Sequence, residues 1–528
     1  MRLPQYIEDI LKTLHEAGFE AFVVGGAVRH LALGEPAETL TNWDLASNAK
    51  PEEVQALFPK SFYENKFGTV TVVVGREAGS WELEASASRV VESPDGEDTA
   101  CRIQDAGAST PVLVEITPYR LEGQYSNKRH PDEVVFTDNL DEDLARRDFT
   151  INAMALGVAD QDAKLGEFDA RLGEKYVLHD PFGGLKDLKA RIVRAVREPE
   201  QRFDEDALRL LRAARFATTL EFEIEPATKA AVQKSAPNLK AISAERVRDE
   251  FSKIILARSP DRGVILLKEL GLLEYIMPEL LEGVGIEQRG PHRYDVFKHN
   301  TLALKFAAQE GGDLGLRLAA LLHDVAKPAT RAETPEHTYT FYGHNVVGAK
   351  MAKTMLKRLK FPAALIERVR LLVYHHLFFY DVDVVTESSV RRLLVKVGKE
   401  NIKDLIALRL FDRQSTPVPK RKPYKLRHLE YMIDKVSADP ITVTELKIDG
   451  GDVMTELKIE PGPRIGLLLK ALLGEVLEYP ALNEKSALVK RLKELNSEPE
   501  AQLKELGSRV EKEKIQQDEA IKAKHFVR

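Results

Sequence analysis

From its N-terminus the chain alternates amphipathic helical stretches with short apolar runs bounded by glycine. In MRLPQYIEDILKTLHEAG the apolar positions recur at helical spacing, so a helix is expected over 4–18, leading to a strand over 20–24. That strand meets Gly25-Gly26, a helix over 27–34 and a second short strand ending in Asp44. PEEVQALF at 51–58 reads as a helix with Pro51 in its first turn, and FGTVTVVV at 67–74 as a strand. In PVLVEITPYR, 111–120, alternation after Val114 puts Glu115 and Thr117 on one face and Val114 and Ile116 on the other. A polar insertion spans about 76–111, and LEGQYSNKRHP at 121–131 lacks apolar periodicity.

Further on the pattern turns helical. Arg146, Arg147 and Asp148 are expected to open a helix through FTINAMAL, with Asp148 a candidate cap. In DEDALRLLRAARFA, Asp206 and Arg209 lie three apart and so share a helical face, whereas steps of three carry Arg215 nearly opposite Asp206. Residues 217–283 are expected to be helical throughout, with Ser243 capping ISAERVRDEFSKIILA. Three apolar helices then carry His299, the adjacent pair His323-Asp324, and Asp412; His344 and the pair His375-His376 fall between them. Residues 441–495 are again helical after Asp449-Gly450-Gly451-Asp452, and a charged helical extension, 497–528, carries no legible function.

At 528 residues the chain is too long for one core and should form three or four domains. No run approaches the roughly 20 apolar residues of a membrane span, and the first helix carries mixed charges, which points to the cytoplasm and away from membranes. One cysteine, Cys101, excludes an internal disulfide and a cysteine-based zinc site. A net charge of −6 argues against indiscriminate nucleic-acid binding. Locally, PVPKRKPYKLR at 417–427 carries Lys420, Arg421, Lys422, Lys425 and Arg427 without an acidic residue. It can neutralise several phosphates, or read as a solvated loop.

Candidate chemistry gathers at two places. Glycines directly after a strand admit close approach of a ligand, and the following helix offers unpaired N–H groups and a positive dipole end, a setting for a triphosphate. Arg29 adds a charge-assisted phosphate contact, and Asp44 a hard oxygen ligand of the kind Mg²⁺ prefers. A close-packed strand-to-helix turn is the alternative reading of the same glycines. At the second place, adjacent His and Asp near the end of one apolar helix can bind a divalent cation with ligands from two others, in the order His299, His323-Asp324, Asp412. Several metals suit that donor set.

Residues 25–34 (GGAVRHLALG), 130–155 (HPDEVVFTDNLDEDLARRDFTINAMA), 180–188 (DPFGGLKDL) and 202–216 (RFDEDALRLLRAARF) resemble the class II tRNA nucleotidyltransferase and bacterial poly(A) polymerase family, closely over 18–258 and more loosely to about 495. The His and Asp set resembles the HD phosphohydrolase domain, with His344, His375 and His376 where such domains place further metal or phosphate contacts. The resemblance implies a polymerase-β-like α/β nucleotidyltransferase head (1–158), followed by a mostly α-helical neck and RNA-binding region (159–283), an HD domain (284–436) and a helical tail (437–528). It also implies addition of CMP and AMP to tRNA 3′ ends from CTP and ATP. In that reading Asp44 and Glu115 are the catalytic carboxylates and hold Mg²⁺. Gly25, Gly26, Arg29 and Arg147 hold the triphosphate, Asp148 and Asn152 lie near the ribose, and Asp206 with Arg209 selects the base with Arg212 and Arg215 nearby.

Two residues depart from the family pattern. Asn42 stands where the family has the first of two metal-binding aspartates, so a neutral amide replaces a carboxylate, and His30 stands where the family usually has Asp. The alternatives are a poly(A) polymerase, a CC-only or A-only adding enzyme, and a tRNA-binding HD phosphohydrolase with a silenced head.

Overall fold

The computed structural model describes residues 2–40, 42–64, 68–77, 80–82, 112–122, 134–159, 170–171, 175–288, 294–335, 339–378, 380–382, 385–416, 422–436, 442–504 and 506. Most of the polar insertion with Cys101, residues 123–131 of the aperiodic loop, residues 417–421 of the basic stretch and the extension from 507 onwards lie outside the described residues. The chain divides into two compact units, Met1–Leu281 and Glu282–Arg528. Among the described residues no helix is long and apolar enough to cross a membrane.

The first unit is built on a mixed sheet. Its strands run in the order Ala170–Arg171, Tyr176–His179, Ala155–Val158, Ala21–Val24, Trp43–Ser47, Val112–Pro118, Thr69–Glu77 and Ser61–Glu64, with Ser80–Glu82 paired to Thr69–Glu77. The first two of these extend the sheet beyond residue 158, where the expected head ends. Trp43–Ser47 and Val112–Pro118 are parallel neighbours; the other pairings are antiparallel. Ala21–Val24 is buried along its whole length because it is central and covered on both faces. Phe22, Val24, Ala46, Tyr119, Leu140, Leu144, Ala153, Ala155 and Val196 form a cluster that locks the sheet to its flanking segments.

Two local expectations fail here. Residues 148–155 do not form a helix: after the helix Leu140–Ala145 the chain makes a single 3-10 turn, Thr150–Asn152, and enters the strand Ala155–Val158. Pairing of Ala155 with Val24 buries this segment in the sheet, and that tertiary context outweighs its helical pattern. Residues 217–283 are not helical throughout either, since Glu223–Ile224 pairs in parallel with Ile192–Val193 and 236–241 is 3-10. Ser243 precedes the helix Ala244–Leu256, but its side chain makes no capping bond.

Gly184 shows how tightly the 3-10 turn is held. A Cβ there would sit 2.2 Å from the Thr150 carbonyl oxygen and 2.9 Å from Met154 Cγ. Gly184→Ala is expected to destabilise the first unit by about 3 kcal/mol or more, because backbone rather than a flexible side chain must yield. A thermal melt checks this, and an unchanged midpoint would show that the turn moves freely.

The second unit is helical. Val296–Gln309, Leu314–Leu322, His344–Arg358, Ala363–His375 and Ile402–Gln414 pack together, and a separate core of Leu446, Ile448, Val453, Leu468, Leu472, Val476, Leu488 and Leu492 builds the tail. The helix Gly450–Leu457 begins with a reciprocal cap: Asp449 accepts from the backbone of Asp452, and Asp452 from that of Asp449.

Candidate functional site

Strand register creates the first site. Asp44 pairs with Glu115 across the parallel strands, so both carboxylates stand on the same face, the exposed one, while Trp43, Leu45, Val114 and Ile116 point into the core. Asn42, also exposed, lies two residues before Asp44. Burial by surrounding protein raises the Asp44 pKa, against the pull of Arg147 and Arg212. Although the side chain is solvent-accessible, its carboxyl group is crowded enough to favour a neutralising cation.

Gly25 closes this site from below. Its φ of +69° is costly for any side chain, and a Cβ would stand 3.3 Å from both Arg147 Nη1 and Asp44 Oδ2. The backbone here therefore lies under the point where the Asp44 carboxylate and the Arg147 guanidinium converge. A Cβ at Gly26 would lie 3.7 Å from Arg29 Nη2. Arg29 is buried and donates to Asn152 Oδ1; Asn152 Nδ2 donates to Asp148 Oδ1 at 3.0 Å, and Arg212 Nε donates to Asp148 Oδ2 at 2.7 Å. Burial alone would raise the Asp148 pKa, but Arg212 and the hydrogen bonds hold it at about 2. Asp148 caps no helix.

Positive charge is concentrated and strained. Burial and the neighbouring Arg215 lower the Arg29 pKa to about 10. The Nε atoms of Arg29 and Arg147 are buried without a hydrogen-bond partner among the described residues. Arg147 is also tied at 3.2 Å to Asp143, which holds Arg146 at 2.7 Å. Unpaired buried donors around a glycine-floored turn fit a polyphosphate, and the oxygen donors Asp44, Glu115 and Asn42 fit a hard cation such as Mg²⁺.

Asp206 and Arg209 do not share a helix face. The helix Pro199–Glu205 stops at Asp206, whose backbone is extended, and a new helix runs from Leu208 to Leu220. Asp206 Oδ1 accepts from Leu208 N at 3.0 Å, and Arg246 Nη2 lies 3.1 Å from its Oδ2. Arg209 binds Glu205 at 2.6 Å and the carbonyl oxygens of Arg202 and Arg146 at 3.2 and 2.9 Å. Arg215 pairs with Glu250 at 2.5 Å and stacks 3.9 Å from the centre of the Phe216 ring, which Arg29 also faces at 5.0 Å. Phe216, Arg246 and Glu250 escape the sequence reading: a helical phenylalanine reads as core and an i,i+4 Arg-Glu pair as solvated surface.

The second site lies among five helices of the second unit. His299 comes from Val296–Gln309, His323 and Asp324 follow Leu314–Leu322, His344 begins His344–Arg358, His376 follows Ala363–His375, and Asp412 lies in the last turn of Ile402–Gln414. His299 Nε2 is 3.1 Å from His323 Nε2 and 3.3 Å from both Asp324 Oδ2 and Asp412 Oδ1. On the other side of the same carboxylate, Asp324 Oδ1 is 3.1 Å from His344 Nε2 and 3.6 Å from His376 Nε2. All six side chains are buried. His375 joins neither group and meets the Tyr374 ring edge to face.

Backbone carbonyls aim these rings. Nδ1 of His299, His323, His344 and His376 meets the carbonyl oxygens of Ser415, Ala320, Phe341 and Val373 at 3.1, 2.8, 2.5 and 2.7 Å. A carbonyl can only accept, so each Nδ1 carries a proton and each Nε2 is turned toward the centre, where it can ligate a cation that displaces any proton it holds. Burial would lower the His299 pKa, but Asp324 and Asp412 raise it to about 9. The same anionic field favours a divalent cation. Lys327, 2.5 Å from Asp324, and Arg409, 2.7 Å from Asp412, limit the negative charge.

Three family descriptions match the chain: the Poly A polymerase head domain over residues 21–105 and 96–194, the probable RNA and SrmB-binding site of polymerase A over 221–283, and the HD domain over 296–416. The chain is 40% identical over 365 residues to the A-adding tRNA nucleotidyltransferase of Deinococcus radiodurans, an alignment covering 65% of this chain and 78% of that one. It is 30% identical over 500 residues to the CCA-adding enzyme of Leuconostoc mesenteroides, covering 93% and 98%. The crystal structure of the Bacillus stearothermophilus CCA-adding enzyme in complex with CTP superposes with a TM-score of 0.62 at 26% identity, covering 94% and 98%.

Proposed function

Because the chain belongs to the family of tRNA nucleotidyltransferases and CCA-adding enzymes, we propose that it adds CMP and AMP to the 3′ end of tRNA without a nucleic-acid template. The convergence of Asp44 and Arg147 over Gly25 carries this reading. Arg29 and Arg147 bind the triphosphate over the Gly25-Gly26 turn, and Asp148 with Asn152 fixes the ribose side. Asp44 and Glu115, with the amide of Asn42, hold Mg²⁺. When bound, that ion lowers the pKa of the tRNA 3′-hydroxyl and steadies the departing pyrophosphate. The 3′-oxygen forms the new bond to the α-phosphorus, and the bond to pyrophosphate breaks.

Asp206 accepts a hydrogen bond from the exocyclic amine that cytosine and adenine share, while a guanidinium donates to the adjacent ring nitrogen. Uracil and guanine present the reverse pattern and are rejected by facing acceptors. In the second unit, the His and Asp centre holds a divalent cation and hydrolyses a phosphoester.

The A-adding relative favours a second reading, addition of the terminal adenosine alone. Two tRNAs separate the readings, one lacking all three 3′ nucleotides and one ending in CC. We expect three nucleotides on the first and one on the second, read by gel after incubation with CTP, ATP and Mg²⁺. Extension of the CC-ending tRNA alone selects the second reading, and long A-tracts from ATP select poly(A) synthesis.

A further inference from the structure

The helix Ala244–Leu256 reaches the nucleotide bed at two points. Arg246 meets Asp206 at 3.1 Å; one turn later Glu250 meets Arg215 at 2.5 Å and Lys253 at 3.1 Å. Arg246 and Glu250 are four residues apart, so they leave the helix from the same face. Neither contact is a solvated surface pair. Glu250 is 3% exposed, and Arg246 Nη1 is buried with no hydrogen-bond partner among the described residues. One end of a guanidinium is thus taken out of water with its donor capacity unanswered, which is costly unless the geometry it enforces is needed.

What it enforces is the direction of one carboxylate. Asp206 stands in the break between the helices Pro199–Glu205 and Leu208–Leu220, with φ −134° and ψ 106°, so no helical turn fixes its side chain. Leu208 N engages one oxygen and Arg246 the other. At the other contact, Glu250 offsets the repulsion among three guanidinium groups around the Phe216 ring, those of Arg215, Arg29 and Arg212, at 3.9, 5.0 and 5.4 Å. Burial would raise the Glu250 pKa, but Arg215 and Arg212 lower it, so the residue is held as an anion.

We propose that Arg246 is a positioning residue that sets nucleotide selectivity by fixing Asp206, while Glu250 fixes the phosphate side through Arg215, so that one helix aligns both ends of the nucleotide. The inference rests on the reading of Asp206 as a base-reading group. A carboxylate clamped toward the base rejects the carbonyl oxygens of uracil and guanine by placing acceptor against acceptor. Released, it swings aside, and the penalty against UTP and GTP falls.

The test uses the full-length protein and tRNA lacking its 3′ end, with kcat and KM measured for CTP, ATP, UTP and GTP. Arg246→Ala should lower the selectivity for CTP over UTP by about tenfold or more. Arg246→Lys should restore most of it. Glu250→Gln should raise KM for all four nucleotides by similar factors and leave selectivity unchanged. Thermal melts identify any variant that fails to fold; if Arg246→Ala does, Arg246→Gln takes its place. An Arg246 variant that weakens all four nucleotides equally would overturn the proposal, as would a Glu250→Gln that shifts selectivity like Arg246→Ala. If the wild-type protein adds no nucleotide, the proposed function fails. The selectivity inference is then read from equilibrium binding of CTP against UTP, and equal ratios in wild type and Arg246→Ala overturn it.

Discussion

Asp44→Asn is expected to lower nucleotide addition about a thousandfold, and Asn42→Asp to raise it at least tenfold. A thousandfold is about 4 kcal/mol of transition-state stabilisation, the scale of removing one preorganised electrostatic contact. The strand register leaves two carboxylates on this face, Asp44 and Glu115, with an amide at 42 where a further carboxylate would complete the set. Replacing Asp44 leaves one carboxylate among neutral amides, too little charge to hold a cation against a tetra-anionic substrate. Nucleotide affinity should fall far less, because Arg29, Arg147 and the Gly25 backbone are untouched. Single-turnover rates and CTP titrations separate the two effects. Since the Asp44 pKa is raised, the carboxylate gains its proton on acidification sooner than an ordinary aspartate, so the rate should fall at a pH above the usual carboxylate range. A full rate in Asp44→Asn would show that the cation is held elsewhere.

The residues of this site differ in how far the sequence betrays them. Alternation in VLVEITP placed Glu115 on one face, and the Gly25-Gly26 turn announced itself by position after an apolar run; both are period-two or single-residue signals that tertiary context does not rewrite. FTINAMAL misleads because its segment is buried on every side, so a helical apolar spacing and a buried turn plus strand look alike. At Asp206 the apolar periodicity runs through a backbone break. The break comes from the side chain itself, since its carboxylate takes the Leu208 amide and offers the chain an alternative to helix. Arg246 and Glu250 show the hardest case: their contacts are set by which face of the helix Ala244–Leu256 turns toward Asp206 and Arg215. In the second unit the grouping of His299, His323-Asp324 and Asp412 was legible because an adjacent His-Asp pair at the end of an apolar helix stands out from core packing. Which member of His375-His376 turns inward was not, because one residue's rotation decides it.

His323→Ala is expected to lower metal affinity at least a hundredfold and to abolish metal-dependent phosphoester hydrolysis, with nucleotide addition unchanged. Losing a group that only orients a metal ligand typically costs ten- to a hundredfold, and His323 stands among the buried donors that could hold the ion directly. Its removal leaves Asp324 and Asp412 buried together with His299, and a proton on His299 becomes the cheaper way to neutralise them. The centre then holds charge balance without a cation. His375→Ala is the internal control, because that ring lies outside both ligand groups. Elemental analysis after dialysis gives the metal content, and hydrolysis of a simple nitrophenyl phosphoester gives the chemistry. Retained metal and turnover in His323→Ala would remove this residue from the ligand set. An equal loss in His375→Ala would show that packing around the helix Ala363–His375, rather than ligation, supports the activity.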